Sequence, residues 1–188
     1  ADLGLNIAKG VFSANPVSAG ADESVRERIV VFITDGVPTS WSADNEESIK
    51  RTASGAIAVA NDIKQAQGAR IYSIGVDANA DPAASFTAAS NGITSSWSGV
   101  SFDFNRFLHL VSSNYPDARA MANTGNGSKD GGYYMAVNDT SSLGRIFSSI
   151  MYSTVYSIEK FDKATLVYDC FLRIRIGRMV FFICPIFL

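Results

Sequence analysis

Histidine is nearly absent from this chain: His109 is the single one among 188 residues. Metal centres and acid–base relays built on imidazole draw on several such side chains, so little material exists here for either. Cysteine is almost as scarce. Cys170 and Cys184 both fall in the last twenty residues, so the body of the chain uses no disulfide. That suits a cytosolic protein and equally a surface protein stable without cross-links. A basic excess is missing too. Sixteen Lys and Arg stand against 18 Asp and Glu, a net charge of -2, which argues against a nucleic-acid surface. Neither a Gly-x-Ser-x-Gly elbow nor a Gly-x-x-x-x-Gly-Lys phosphate loop occurs.

What is present is apolar material, 47% of the residues, in a length that suits one domain with a sizeable core. Leu3, Ile7 and Val11 recur at a four-residue spacing and predict a helix over 2–12 with those side chains inward. Arg28 to Gly36 holds five consecutive apolar residues, mostly β-branched, and reads as a strand buried on both faces, as in parallel sheets between helix layers. Asp44 with Glu47 forms a capping-box pattern. Ile49, Ala53, Ala56, Ile57, Ala60 and Ile63 then trace a helical stripe that ends at Gly68. A second buried strand, Arg70 to Val76, follows at once. Strand, helix and strand at this spacing predict a βαβ unit with parallel pairing.

Further on, 77–101 is small and polar with a short helix expected near Pro82 to Ala89. Phe104, Phe107, Leu108 and Val111 mark a helix face, and Asn123 to Gly132 reads as loop. Tyr133 to Val137 reads as a third strand. Thr140 or Ser141 is placed to cap a last helix carrying Leu143, Ile146, Phe147, Ile150, Met151 and Val155. Residues 158–168 read as an extended segment leaving the domain. The end, 173–188, is basic and then apolar, and its apolar run is about half the roughly twenty residues of a membrane span. A truncated span, a membrane-surface anchor and an altered, β-prone tail remain open for it, and any membrane contact would come through this tail.

The strand end Ile33-Thr34-Asp35-Gly36-Val37-Pro38-Thr39, the strand Arg70 to Val76 after a long helix, and Tyr133-Tyr134 before a helix with Leu143 and Ile146-Phe147 occur in an order that resembles a von Willebrand factor type A domain, in its bacterial surface and pilus-adhesin branch. The likeness covers roughly residues 1–155. It implies a doubly wound α/β fold, mainly parallel and Rossmann-like, with its first strands missing from this chain. It divides the chain into a partial domain at 1–156, a linker or start of a following segment at 157–172, and an atypical tail at 173–188.

The resemblance also implies a Mg²⁺ or Mn²⁺ site at the carboxyl edge of the sheet, the edge where open α/β sheets place ligands. Of the family's three ligand groups, Asp35 matches one. Setting Ile7 at the family's first core helix position puts Ala1 where a Thr is expected, and the Asp-x-Ser-x-Ser loop is absent. The chain as it stands is therefore expected to hold the cation weakly or not at all. Thr39, Ser40 and Asp77 would face a ligand, although turn and loop capping explain each more simply. His109 reads as a packed or surface residue. The implied function is non-enzymatic: adhesion to a host or matrix protein, or to a neighbouring pilus subunit, at a bacterial cell surface. An intracellular scaffold working with an ATPase complex, in the cytoplasm, is the alternative. A metal-dependent phosphatase or sulfatase is a third reading, which one histidine serves poorly.

Overall fold

A computed structural model describes residues 1–16, 28–38, 45–86, 93–94, 101–137, 140–157, 173–176 and 179–182. Its centre is a parallel sheet of order β1-β2-β5, formed by Ile29–Thr34, Arg70–Gly75 and Tyr134–Ala136. Alternate side chains leave the strands toward opposite layers, as the two-residue period of a pleat requires. Val30, Phe32 and Ile71 meet Leu5, Ala8, Ala53, Ile57, Phe107 and Leu108 on one side. Ile29, Val31, Tyr72 and Ile74 meet Ile150 on the other, with Leu143, Ile146, Phe147 and Met151 packed around them. The first layer is built by α1 (Asp2–Ala14), α2 (Glu46–Ala66) and α3 (Phe104–Val111), the second by α4 (Thr140–Ser157). The protein is thus α/β, an open parallel sheet covered by helices on both faces.

The expected βαβ unit is there: β1 and β2 pair in parallel from Ile29↔Arg70 to Thr34↔Gly75, with α2 between them. All six stripe residues of α2 are buried. Gly68 takes φ +61 just beyond the helix, a conformation only glycine adopts without strain, and the Ala69 amide donates back to Ile63 O at 3.2 Å. The cap differs from expectation. Asn45 is the N-cap, its side chain accepting from the Ser48 amide at 2.9 Å, and Asp44, expected to cap, lies outside the described residues. One residue nearer the stripe, Asn45 already holds the extended backbone from which a side-chain oxygen reaches the third helical amide.

The face of α1 must also be corrected. Leu3 and Ile7 are 71% and 56% exposed, while Leu5, Ala8 and Phe12 are buried against α2. Both triplets have helical spacing, so periodicity alone could not choose between them. Docking does. Arg28 lies over the Phe12 ring at 5.4 Å and donates to Asn15 O, and Gln67 Nε2 donates to Lys9 O, which turns the Phe12 side of the helix inward.

Pro82 to Phe86 is turn and irregular chain rather than helix, and 87–89 lie outside the described residues. Within the segment read as small and polar, β3 (Ile93–Thr94) and β4 (Ser101–Phe102) form an antiparallel pair. Thr140 is the first residue inside α4, not its cap. The segment 158–168 lies outside the described residues. In the tail, β6 (Arg173–Ile176) and β7 (Met179–Phe182) form an antiparallel hairpin, and β7 runs near β1 with Cα atoms within 8 Å. Among the described residues no helix is long and apolar enough to cross a membrane.

Candidate functional site

The parallel register brings the three strand ends level. Val76 N donates to Thr34 O at 2.9 Å and Val137 N donates to Gly75 O at 2.8 Å, so the chain leaves β1, β2 and β5 at one carboxyl edge. Asp35 follows β1 directly and stands exposed in a bend beside Gly36. Asp77 follows β2 by two residues and is half-buried. Its Oδ1 accepts from the Asn79 amide at 2.7 Å and from Asn79 Nδ2 at 3.0 Å, which closes a local turn. The two carboxylates therefore share an edge, but one is committed to its own loop. Thr39 and Ser40 lie outside the described residues.

A cation cage at this edge would need several oxygen donors converging on one point. Ala1 offers no side-chain oxygen, and Ile7, the position that aligned Ala1 with a ligand threonine, is exposed rather than in the core. That alignment fails with it. Among the described residues no group of three or more His, Cys, Asp or Glu is placed to hold a metal. Among the described residues, the donors at this edge do not make up a Mg²⁺ or Mn²⁺ site. One exposed carboxylate remains.

The more developed polar structure beside this edge went unmarked in the sequence. Asn105, on the first turn of α3 and 1% exposed, donates from Nδ2 to Asn79 O at 3.0 Å. Its Oδ1 accepts from the Asp81 amide at 2.8 Å and from the Tyr134 hydroxyl at 2.5 Å. One amide side chain thereby joins the loop after β2, the helix α3 and the strand β5. Burial pushes the Tyr134 hydroxyl well above its ordinary pKa, so it stays a donor. Gly75 permits the close approach: a Cβ there would sit 2.8 Å from Leu108 Cδ1 and 3.0 Å from Ala80 Cβ.

His109 is fully buried, as the packed reading expects. Its Nε2 faces Pro82 O at 2.9 Å and its Nδ1 faces Asn114 Nδ2 at 2.9 Å. A carbonyl accepts and an amide nitrogen donates, so the ring is neutral with its proton on Nε2. Both nitrogens are spent on structure, and burial lowers the pKa below 6.5. Phe86, Tyr115 and Tyr134 pack their rings around it at centroid distances of 5.4, 6.1 and 4.9 Å.

Lys64 was missed as well. Its ammonium is buried and donates to Leu110 O, Ser112 O and Tyr115 O at 3.0, 3.0 and 2.8 Å, closing the carboxyl end of α3. Burial lowers its pKa to about 7, against the pull of Asp117. The signal lay in the sequence: Lys64 is four residues after Ala60 and beside Ile63, on the inward face of α2. Comparison with protein-family models, curated proteins and solved structures finds no match to this chain.

Proposed function

We propose that this chain is a non-enzymatic protein-binding module of the von Willebrand factor A kind, serving adhesion at a bacterial surface through the carboxyl edge of its sheet. The observation that carries this reading is the exposed Asp35 at the end of a buried parallel strand, beside Asp77 and with helices on both faces of the sheet. Ligands of open α/β sheets sit at that edge. The likeness in sequence order described above motivates the family reading, and the coarse α/β architecture is consistent with it. A partner would meet Asp35 as a free carboxylate, so a basic or amide-rich protein surface suits it best. A bound cation would require further ligands from outside the described residues. Catalysis of the phosphatase kind is disfavoured because the lone histidine has both nitrogens engaged.

The test is binding of the full chain to a panel of immobilised matrix proteins, with parent and Asp35→Ala compared in buffers with and without Mn²⁺. Specific binding that is lost in Asp35→Ala while the circular dichroism spectrum is kept supports the reading. Hydrolysis of a generic phosphate ester that disappears in Asp35→Ala would replace it with an enzyme.

A further inference from the structure

The feature that points furthest beyond the carboxyl edge is the His109–Asn114 contact, because it joins two loops through a group that titrates near neutral pH. On one side, His109 Nε2–H donates to Pro82 O in the loop 77–86. On the other, Nδ1 accepts from Asn114 Nδ2, and Asn114 organises the loop that runs to β5. Asn114 Oδ1 accepts from the Tyr133 amide at 3.0 Å, its Nδ2 also reaches Lys129 O at 3.4 Å, and its backbone carbonyl accepts from the Ser128 amide at 3.0 Å. Gly127 and Gly131 crowd this residue so closely that a Cβ on either would fall 2.4 Å from Asn114 O or 2.5 Å from Asn114 Oδ1.

We propose that His109 is an acid-sensitive latch: its neutral ring ties the loop 77–86 to the loop 112–133, and a second proton on the ring releases the latter. The imidazolium would present Nδ1–H to the Asn114 Nδ2–H, two donors facing each other. Turning the amide to offer Oδ1 to the ring does not repair the contact. It places Nδ2–H against the Tyr133 amide and the oxygen against Lys129 O, so one bad contact becomes two. The relief open to the structure is movement of the segment around 128–133, where the 3₁₀ turn Lys129–Gly131 is largely exposed.

The charged groups around the ring come from each neighbouring element. Asp81 in the first loop and Asp130 in the second favour its protonation, while Lys129, which donates to Ala84 O at 2.9 Å, opposes it. Arg106 of α3 lies over the Phe86 ring rather than on the imidazole, and Tyr115 and Tyr134 are neutral in this range. Burial is the largest influence and keeps the ring neutral in the closed state. The folded pKa is therefore below that of the opened state, near 6.5. The latch is fully closed above that value and weakens as pH falls from it toward the folded pKa. Across that window the opening constant rises as pH falls, by at most tenfold per pH unit.

The inference does not depend on what the sheet edge binds. It is tested by amide exchange on the full chain between pH 7 and pH 5, followed residue by residue and corrected for intrinsic exchange. Protection at Tyr133 should fall with pH over part of this range, by at most tenfold per pH unit, while protection at Ile57, buried in the middle of α2, stays level. In Asn114→Asp a carboxylate would accept from the imidazolium, so the acid loss at Tyr133 should vanish or reverse. If that variant does not fold, His109→Gln should abolish the slope, since nothing there titrates. Flat protection at Tyr133 in the parent overturns the latch. So does a slope that survives in the variant, or loss at Ile57 in step with Tyr133, which would mean global unfolding.

Discussion

Single residues decide how tightly the interior packs, and three of them give differing expectations for substitution. Gly75→Ala forces a methyl group against Leu108, Ala80 and Phe104, a rigid helix start on one side and a loop on the other. Overpacking of this kind costs about 1–3 kcal/mol, measured as a lowered urea midpoint. Ser73 is its counterpart two residues earlier. Its hydroxyl is buried and has no hydrogen-bond partner among the described residues. Ser73→Ala removes an unsatisfied group without changing the packing, so the same denaturation should show a midpoint equal to the parent or higher. A clear loss would mean that the hydroxyl has a partner. Lys64→Met keeps the length of the side chain but leaves the carbonyls of Leu110, Ser112 and Tyr115 without their donor. Leaving such buried acceptors unpaired should cost about 2–4 kcal/mol. An unchanged midpoint would show that water replaces the ammonium.

The elements that packing and local propensity specify together were legible in the sequence. The strand β1 is a run of mostly β-branched residues, β2 carries Ile71, Tyr72 and Ile74 within six residues, and α2 and α3 carry stripes whose period fits only a helix. The structure places each within a residue or two of expectation. In α1 the sequence contained two stripes of equal quality, and the choice between them was made by Arg28 and Gln67, far along the chain. The cap of α2 shows the same limit on a smaller scale, since Asp44 and Asn45 are both good caps and backbone geometry selects one. Asn45→Ala should therefore lower stability by about 1 kcal/mol, with Glu47→Ala nearly neutral. A loss for Glu47→Ala with none for Asn45→Ala would restore the capping box. Of the candidate site, Asp35 and Asp77 could be read from strand ends alone. Asn105 and Asn114 could not, because most of their partners are backbone carbonyls and amides brought together by the fold, and backbone groups leave no trace in residue type.

At the scale of the whole molecule, what is unusual is that the buried strand β1 has only one hydrogen-bonded neighbour among the described strands, β2. An apolar strand with a free edge is a template for pairing with another chain unless something covers it. Helices cover both faces of β1, which leaves the edge opposite β2 as the place where the nearby β7 fits. β7 would then shield this edge. Val180→Pro removes an amide from the β6–β7 hairpin at the Arg175↔Val180 pair and should loosen it. If the tail shields β1, the variant will show faster amide exchange at Ile29 to Ile33 and a rise in mass by light scattering as edges pair between molecules. If exchange in β1 and the mass both stay at parent values, β7 lies near the strand without protecting it, and the helix layers alone keep β1 from water and from other chains.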